Sequence, residues 1–239
     1  MRPAGFWRRC AAWSLDAALV ALPVLLLCRA SMNRAAAGVG GAWDGLVDAV
    51  ARRMAAAIHS MPAPMDPADP SASIGLARDW LHDPALLAAA TALQSALAGL
   101  LAWPMALFVA LFMAWCVGFE RSPLQATPGK RALGLRVVDR SGGRIGTAAA
   151  LARFLAGTLS WLSLNIGHLL AGVAPDHAAL HDRLSRTRVV RAAGAPERMP
   201  AWAGAWLALQ AAAWLAAMAW IAQAMAVPMQ AALDRALWG

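Results

Sequence analysis

The chain has too little charge to cover the surface of a soluble protein of its length. Charged residues make up 14% of the 239 positions and hydrophobic residues 60%, whereas soluble domains average about 25% and roughly 45–50%. Basic residues outnumber acidic ones by 21 to 13, which gives a formal net charge of +8. This composition disfavours a soluble enzyme, a nucleic-acid module and a disordered chain. It predicts a protein that lies in a lipid bilayer.

Catalytic and ligand-binding motifs are also missing. The sequence contains no HExxH, no GxSxG and no dinucleotide fingerprint, and its three cysteines are too few for a disulfide framework. Pro128-Gly129-Lys130 lacks the earlier glycine of a phosphate loop. His177 and His181 have the H-x-x-x-H spacing, but no third ligand cluster accompanies them. We therefore expect no enzymatic activity, no cofactor, no metal and no nucleic-acid partner.

Long apolar runs are what the sequence has in place of these motifs. A transmembrane helix needs about 20 mostly apolar residues, and the runs at 10–28, 93–117 and 202–227 meet this requirement. A fourth apolar stretch, 148–173, is interrupted by Arg153, Asn165 and His168. The expected fold class is all-α: a polytopic membrane protein with three spans and a fourth apolar hairpin or span.

The distribution of Lys and Arg predicts the orientation in the membrane. These residues are dense in segments 1–9, 118–147 and 174–201, and sparse in the long segment 29–92, where aspartates offset them. We expect a cytoplasmic N-terminus, two cytoplasmic loops and an external loop 29–92. Because both flanks of 148–173 would then be cytoplasmic, we favour a hairpin or interfacial segment with a break near 163–167. A simple span remains the alternative, and the side of the C-terminus depends on this choice.

Both predicted loops contain local structure. In the external loop the apolar residues follow a helical period, which predicts an amphipathic helix on the outer membrane surface or on the spans; they are Trp43, Leu46, Val47, Val50, Met54, Ile58 and Met61. The proline-rich segment 61–70 should end that helix, and a short helix is expected at 74–82. In the cytoplasmic loops, segments 134–139 and 187–191 alternate and are β-branched, which predicts a small β-ribbon.

Asp16 is the sharpest single feature, because a carboxylate inside a span is costly and usually has a function or a partner. Arg9 lies seven residues earlier, about 10 Å along the helix, and Arg153 is a second candidate partner. Asp16 could be a proton or cation site, or it could form a structural clamp with arginine.

Three segments together resemble a known family. They are Arg9-x-x-Ala12-x-x-x-Asp16, the block QATPGKRALGLRVVD at 125–139 and the block LHDRLSRTRVV at 180–190. The chain resembles the RDD family of small bacterial multi-pass membrane proteins, which is named for one arginine and two aspartates. The resemblance covers roughly 1–28 and 93–191. It assigns the arginine to Arg9 and the first aspartate to Asp16; we choose Asp182 as the second, with Asp139 as a rival.

The resemblance implies an RDD-like membrane domain at 1–191 in the bacterial cytoplasmic (inner) membrane, followed by a C-terminal extension at 192–239. Cation/proton antiport is proposed for some members, so one hypothesis is a proton-coupled monovalent cation transporter that uses Asp16. The other is a non-catalytic scaffold that docks a partner or lipid, with Arg9, Asp16 and Arg153 as a structural clamp. Homo-oligomerisation is left open. The candidate motif or transport residues are Arg9, Asp16, Pro128, Gly129, Lys130, Arg153, His181 and Asp182.

Overall fold

A computed structural model describes residues 2–60, 75, 78–162, 166–173 and 177–238. The helices are α1 (Phe6–Ser60), α2 (Pro84–Arg121), α3 (Pro128–Ala132), α4 (Thr147–Leu162), α5 (Ile166–Leu169), α6 (Leu180–Leu184) and α7 (Ala201–Trp238). One turn of 3-10 helix covers Leu170–Gly172, and the strands are β1 (Leu135–Asp139) and β2 (Thr187–Arg191). The proline-rich segment 61–70, Asp176 and most of the break expected at 163–167 lie outside the described residues. Of the short helix expected at 74–82, residues 75 and 78–81 are helical.

Three helices, α1, α2 and α7, are long and apolar enough to cross a membrane. They contain the three spans predicted from the sequence, and the other expected elements are short helices and a two-stranded antiparallel sheet. The all-α polytopic fold class with a small ribbon is therefore confirmed. The protein is a multi-pass membrane protein, with the lipid bilayer as the environment of its long helices.

Helix α1 is much longer than the first predicted span. Its 55 residues correspond to about 82 Å of helix at 1.5 Å per residue, so residues 29–42 are helical and join the first span to the amphipathic segment. The sequence at this junction contains Ala35-Ala36-Ala37, and alanine has the highest helix propensity. Pro23 lies within α1 without ending it. The expected loop 29–92 therefore begins with a continuation of the span helix.

The chain forms two compact packing units, residues 1–26 with 105–212 and residues 27–104 with 213–239. In the second unit, the apolar face of the amphipathic segment packs against the end of α7, where Val47 and Ala51 contact Ala232. An ion pair of 3.4 Å between Arg235 and Asp48 lies beside this contact. Packing on a span helix was one of the two placements that the amphipathic pattern allowed. The domain boundary at 191/192 stays a prediction.

The first unit contains the ribbon and the residues of the candidate site. Strands β1 and β2 pair antiparallel, with Leu135 opposite Arg191 and Asp139 opposite Thr187. Each strand buries its first, third and fourth residues, so the predicted alternation holds only at the start of the strand. Val137 and Val189 lie in the core and the preceding Arg136 and Arg188 are exposed, but Val138 and Val190 are also buried. The N-terminal segment lies beside β2, because Ala4 N–H donates to the Val189 carbonyl at 3.1 Å.

This strand pairing bears on the fourth apolar stretch. It joins the segment before α4 to the segment after α6, so both flanks of 148–173 belong to one small sheet. The chain also packs back on itself, since a Cβ added to Gly167 would lie 2.9 Å from the Cβ of Ser160 in α4. These contacts favour the hairpin or interfacial interpretation, because a simple span would separate the two strands by the bilayer.

We predict that topology reporters fused after Gly146 and after Arg191 report the same side of the membrane, because their flanking strands are hydrogen-bonded to each other. A fusion at the C-terminus should report the opposite side, because α7 crosses once. Alkaline phosphatase and fluorescent-protein activities in cells would measure this. A fusion after Asp83 serves as a control that should also report the opposite side, across α2. Opposite sides for the Gly146 and Arg191 fusions would contradict the prediction.

Candidate functional site

The carboxylate of Asp16 is buried in α1, with 1% of the residue exposed, and hydrogen-bond donors surround it. Its Oδ1 accepts from the Trp115 indole N–H at 3.1 Å and from the Gly129 backbone N–H at 2.8 Å. Its Oδ2 accepts from the Thr127 hydroxyl. A buried charge is tolerated when its hydrogen bonds are satisfied, and these three donors supply that compensation.

The loop that meets Asp16 is built to begin a short helix at the carboxylate. Thr127 is the N-cap of α3, and Pro128 occupies the first turn, where a missing N–H costs nothing. The next residue must be glycine, because a Cβ on Gly129 would overlap the Ala12 carbonyl and lie 2.9 Å from the Asp16 carboxylate oxygen. Asp16 therefore caps α3 from another helix, at the end where the backbone N–H groups favour negative charge.

Lys130, the residue after Gly129, begins a chain of buried ion pairs. Its Nζ lies 2.9 Å from Oε1 of Glu120, in the last turn of α2, and Oε2 of Glu120 lies 3.3 Å from Nε of Arg153. Burial by itself would lower the pKa of Lys130, but the nearby Glu120 carboxylate outweighs burial and raises that pKa above its ordinary value. Lys130 therefore stays charged in the folded protein.

Asp182 ends this chain, where two arginines converge on it. Arg9 Nη1 lies 2.5 Å from Oδ2, and Arg153 Nη1 pairs with Oδ1. The same carboxylate caps α6, since it accepts from the Ala179 N–H at 3.0 Å. Burial alone would raise the pKa of Asp182, but the two guanidiniums outweigh burial and hold it well below the usual range of a carboxyl group. Asp182 is therefore ionised at physiological pH.

The structure differs from the expectation that Asp16 pairs with an arginine. Within the described part of the chain the bonding partners of Asp16 are Trp115, Thr127 and Gly129. The seven-residue separation along α1 places Arg9 about 10 Å from Asp16, and Arg9 instead reaches Asp182. An arginine–carboxylate clamp exists, but Asp182 is its carboxylate. Asp139, the rival second aspartate, caps its own turn by accepting from the backbone N–H groups of residues 141 and 143, so the geometry favours Asp182.

His181 lies beside the arginine clamp. Its Nε2 is 3.6 Å from Oδ1 of Asp182, and its ring centroid is 5.2 Å from that of His168. Burial, followed by the charge of Arg153, lowers the pKa of His181 well below its ordinary value, so the imidazole is neutral at physiological pH. His177, its partner in the H-x-x-x-H pattern, bonds to the Ala171 carbonyl. Among the residues that the structure describes, no three His, Cys, Asp or Glu side chains are grouped for a metal.

Four residues of the site were missed at the sequence level: Trp115, Glu120, Thr127 and Thr187. Thr187 accepts from Arg153 at 2.9 Å. Glu120 could have been identified from the sequence, because it is an acidic residue at the end of an apolar run. Its ion-pair partners are Lys130 and Arg153 and not the neighbouring Arg121. Thr127 lies in the family-like block at 125–139, but the incomplete phosphate-loop pattern in that block consists of the residues that follow it, including Gly129 and Lys130.

We predict that Gly129→Ala destabilises the protein by about 1–3 kcal/mol, because the added methyl group overlaps the Ala12 carbonyl and the Asp16 carboxylate. Thermal unfolding of the purified protein in detergent would measure the change. The matched control is Gly118→Ala, whose Cβ meets nothing within 4 Å and which should leave stability unchanged or slightly raised. Equal melting temperatures for the two variants would refute the close packing of α3 on α1.

Comparison with known proteins agrees with the motif positions. The RDD family profile matches residues 3–186, which include Arg9, Asp16 and Asp182. Over 69 residues the chain is 36% identical to the uncharacterized protein YxaI of Bacillus subtilis (strain 168). That alignment covers 29% of this chain and 45% of the relative, so the chain spans less than half the length of the curated relative it matches. No solved structure matches. Since the family profile covers most of the chain and the buried charges lie within it, the protein belongs to the RDD family.

Proposed function

We propose that the protein is a non-enzymatic membrane scaffold, in which the buried charges hold the ribbon to the first span and the ribbon's basic face contacts anionic lipid headgroups. The observation that carries the proposal is the environment of Asp16. Its carboxylate accepts hydrogen bonds from an indole N–H, a hydroxyl and a backbone N–H, so both of its oxygens are engaged. Such a carboxylate joins the first span to α3, which is a structural role.

The ion pairs extend this connection to the rest of the first unit. Three cations meet two buried carboxylates, Glu120 and Asp182: Arg153 is buried, and the side chains of Arg9 and Lys130 are each 13% exposed. These groups come from α1, α2, α3, α4 and α6. Removing one member of a buried pair leaves an uncompensated charge and typically costs about 3–5 kcal/mol. The network therefore fixes the elements next to the ribbon in one arrangement.

The ribbon and its neighbouring turns expose a basic face. Their exposed arginines are Arg131, Arg136, Arg140, Arg144, Arg183, Arg186 and Arg188, whereas Asp139 is engaged by its own turn. Basic side chains beside a membrane are attracted to anionic headgroups by about 1 kcal/mol each, within a distance set by ionic strength. The charge of this face supports the proposed contact with anionic headgroups.

We predict that phosphatidylglycerol slows amide hydrogen exchange in residues 136–144 when the protein is embedded in phosphatidylcholine nanodiscs. The triple variant Arg136→Gln, Arg140→Gln, Arg188→Gln should lose this protection, and salt near 0.5 M should remove it from the wild type. The matched control is Arg29→Gln, Arg34→Gln, Arg52→Gln, which removes three exposed arginines elsewhere and should keep the protection. Protection that does not depend on the lipid or on the ribbon arginines would refute the lipid contact.

Proton-coupled transport of a monovalent cation is the second candidate function. The observation in its favour is that a carboxylate, Asp16, is fully buried in a membrane-spanning helix, where an ionisable group by default indicates a transport or proton site. In this mechanism Asp16 would exchange a proton for a cation. The Trp115 and Gly129 N–H donors would then have to move away from the carboxylate, because an N–H group does not ligate a cation, whereas the Thr127 hydroxyl oxygen is able to do so.

A proteoliposome assay separates the two candidates. With a pH-sensitive dye trapped inside, we expect wild-type vesicles to respond to added Na⁺, K⁺ or Li⁺ no more than empty vesicles, because the carboxylate is held as a helix cap. Asp16→Asn, which keeps the side-chain shape, is the matched variant. A cation-dependent response in the wild type that Asp16→Asn abolishes would establish transport and refute a purely structural role for Asp16.

A further inference from the structure

A cavity of about 380 Å³ lies inside the first unit, among α1, α5, α6, the ribbon and the beginning of α7. Its volume falls within the range of small-molecule sites, which starts near 300 Å³. Three of its lining residues are the buried cations Arg9, Lys130 and Arg153. No aspartate or glutamate is among the lining residues in the described part of the chain.

The carboxylates that balance these cations lie outside the lining. Glu120 and Asp182 pair with all three cations, so the group of five carries one more positive than negative charge. Asp16 is a third buried carboxylate near Lys130, and it balances the charge of the group as a whole. Among the described residues all three carboxylates lie outside the lining, so the cavity wall itself presents only the cationic members and has room for an anionic group.

Two histidines add unused hydrogen-bonding capacity to the same walls. His168 and His181 both line the cavity, and the Nδ1 atom of each is buried with no hydrogen-bond partner among the described residues. A buried polar atom without a partner costs roughly 1–3 kcal/mol. An oxygen-bearing ligand in the cavity would give these atoms a partner, which an empty apolar pocket would not need.

The rest of the lining is mainly apolar. It includes Phe6 and Trp13 of α1, Leu135 of the ribbon and Leu207 of α7. Phe6, Trp13 and Leu207 belong to two helices that span the membrane. The cavity thus combines cationic groups with apolar surface from the membrane-spanning helices. An inorganic anion would leave that apolar surface unused, and a neutral apolar molecule would leave the charges unused.

We propose that this cavity binds an amphiphile that has an anionic carboxylate or phosphate headgroup and an apolar chain. The headgroup lies at Arg9, Lys130 and Arg153, and the chain follows the apolar side chains of α1 and α7. This proposal does not rest on the scaffold function, because it uses the buried cations and not the exposed arginines of the ribbon. A fatty acid and an anionic phospholipid share this chemistry, and the experiment distinguishes them.

Native mass spectrometry of the full-length protein in detergent tests the proposal, with oleate, phosphatidylglycerol, phosphatidylcholine and inorganic phosphate as separate probes. We expect one bound oleate or phosphatidylglycerol per chain, and which of the two binds identifies the source. Phosphatidylcholine should bind at least tenfold more weakly. Binding of phosphatidylcholine with equal affinity would overturn the proposal, as would binding of inorganic phosphate alone.

A matched pair of variants locates the site. Leu207→Trp fills the cavity and should weaken binding about tenfold, whereas Leu209→Trp adds the same bulk at a position that is 62% exposed and outside the lining, and should bind as the wild type does. His168→Leu removes an unpaired Nδ1 and leaves the ion pairs intact, and it should also weaken binding. This variant keeps the test decisive if Leu207→Trp does not fold. Undiminished binding by folded Leu207→Trp or His168→Leu would overturn the proposal.

The triple variant of the ribbon arginines distinguishes amphiphile binding in the cavity from the lipid contact proposed for the ribbon. Arg136→Gln, Arg140→Gln, Arg188→Gln should bind the amphiphile as tightly as the wild type, because none of the three lines the cavity. Loss of binding in this triple variant, together with normal binding by Leu207→Trp, would assign the amphiphile to the exposed basic face and overturn the cavity site.

Discussion

The structure of the first unit depends on the balance of charges that are buried next to the membrane. Three cations and three carboxylates of the site are largely withdrawn from water, and each would be costly there without partners. Asp182 has the central place, since it receives Arg9 from the first helix and Arg153 from α4 and also caps α6. The ion pairs thereby hold elements that are distant in the sequence in one arrangement, beside the apolar core that these elements share.

The two family aspartates do the same physical job at different places. Asp16 caps α3 and Asp182 caps α6, so each carboxylate satisfies the first N–H groups of a short helix. Five-residue helices are too short to be stable by themselves. In this protein the carboxylates fix both short helices next to the strands that follow them, and the pairing of those strands completes the ribbon. The motif residues thus specify how the ribbon and its two short helices join the long helices.

Much of the fold was accessible from the sequence because it depends on local patterns. Apolar run length gave the three spans, and alternation gave both strands. The partners of the buried charges could not be obtained in this way, because they depend on which elements meet in space. Asp16 illustrates the limit. Its position in the first apolar run predicts a buried carboxylate that needs a partner, but its donors Trp115, Thr127 and Gly129 carry no charge, and no sequence pattern connects them to Asp16. The length of α1 was not predicted, because the helical period of the amphipathic segment does not show whether that segment is separate from the span helix or continuous with it.

The separation between Asp16 and its partners has a consequence for the biosynthesis of the protein. Trp115, Thr127 and Gly129 follow Asp16 by 99, 111 and 113 residues. The ribosome must therefore synthesise α1, the segment that follows it and most of α2 before the first of these donors, Trp115, exists. Until then the first helix must stay in the membrane with a bare carboxylate, a cost of about 2.5–3.5 kcal/mol on insertion scales. The long apolar run around Asp16 offsets this cost during translation, so its hydrophobicity serves insertion before it serves the folded state.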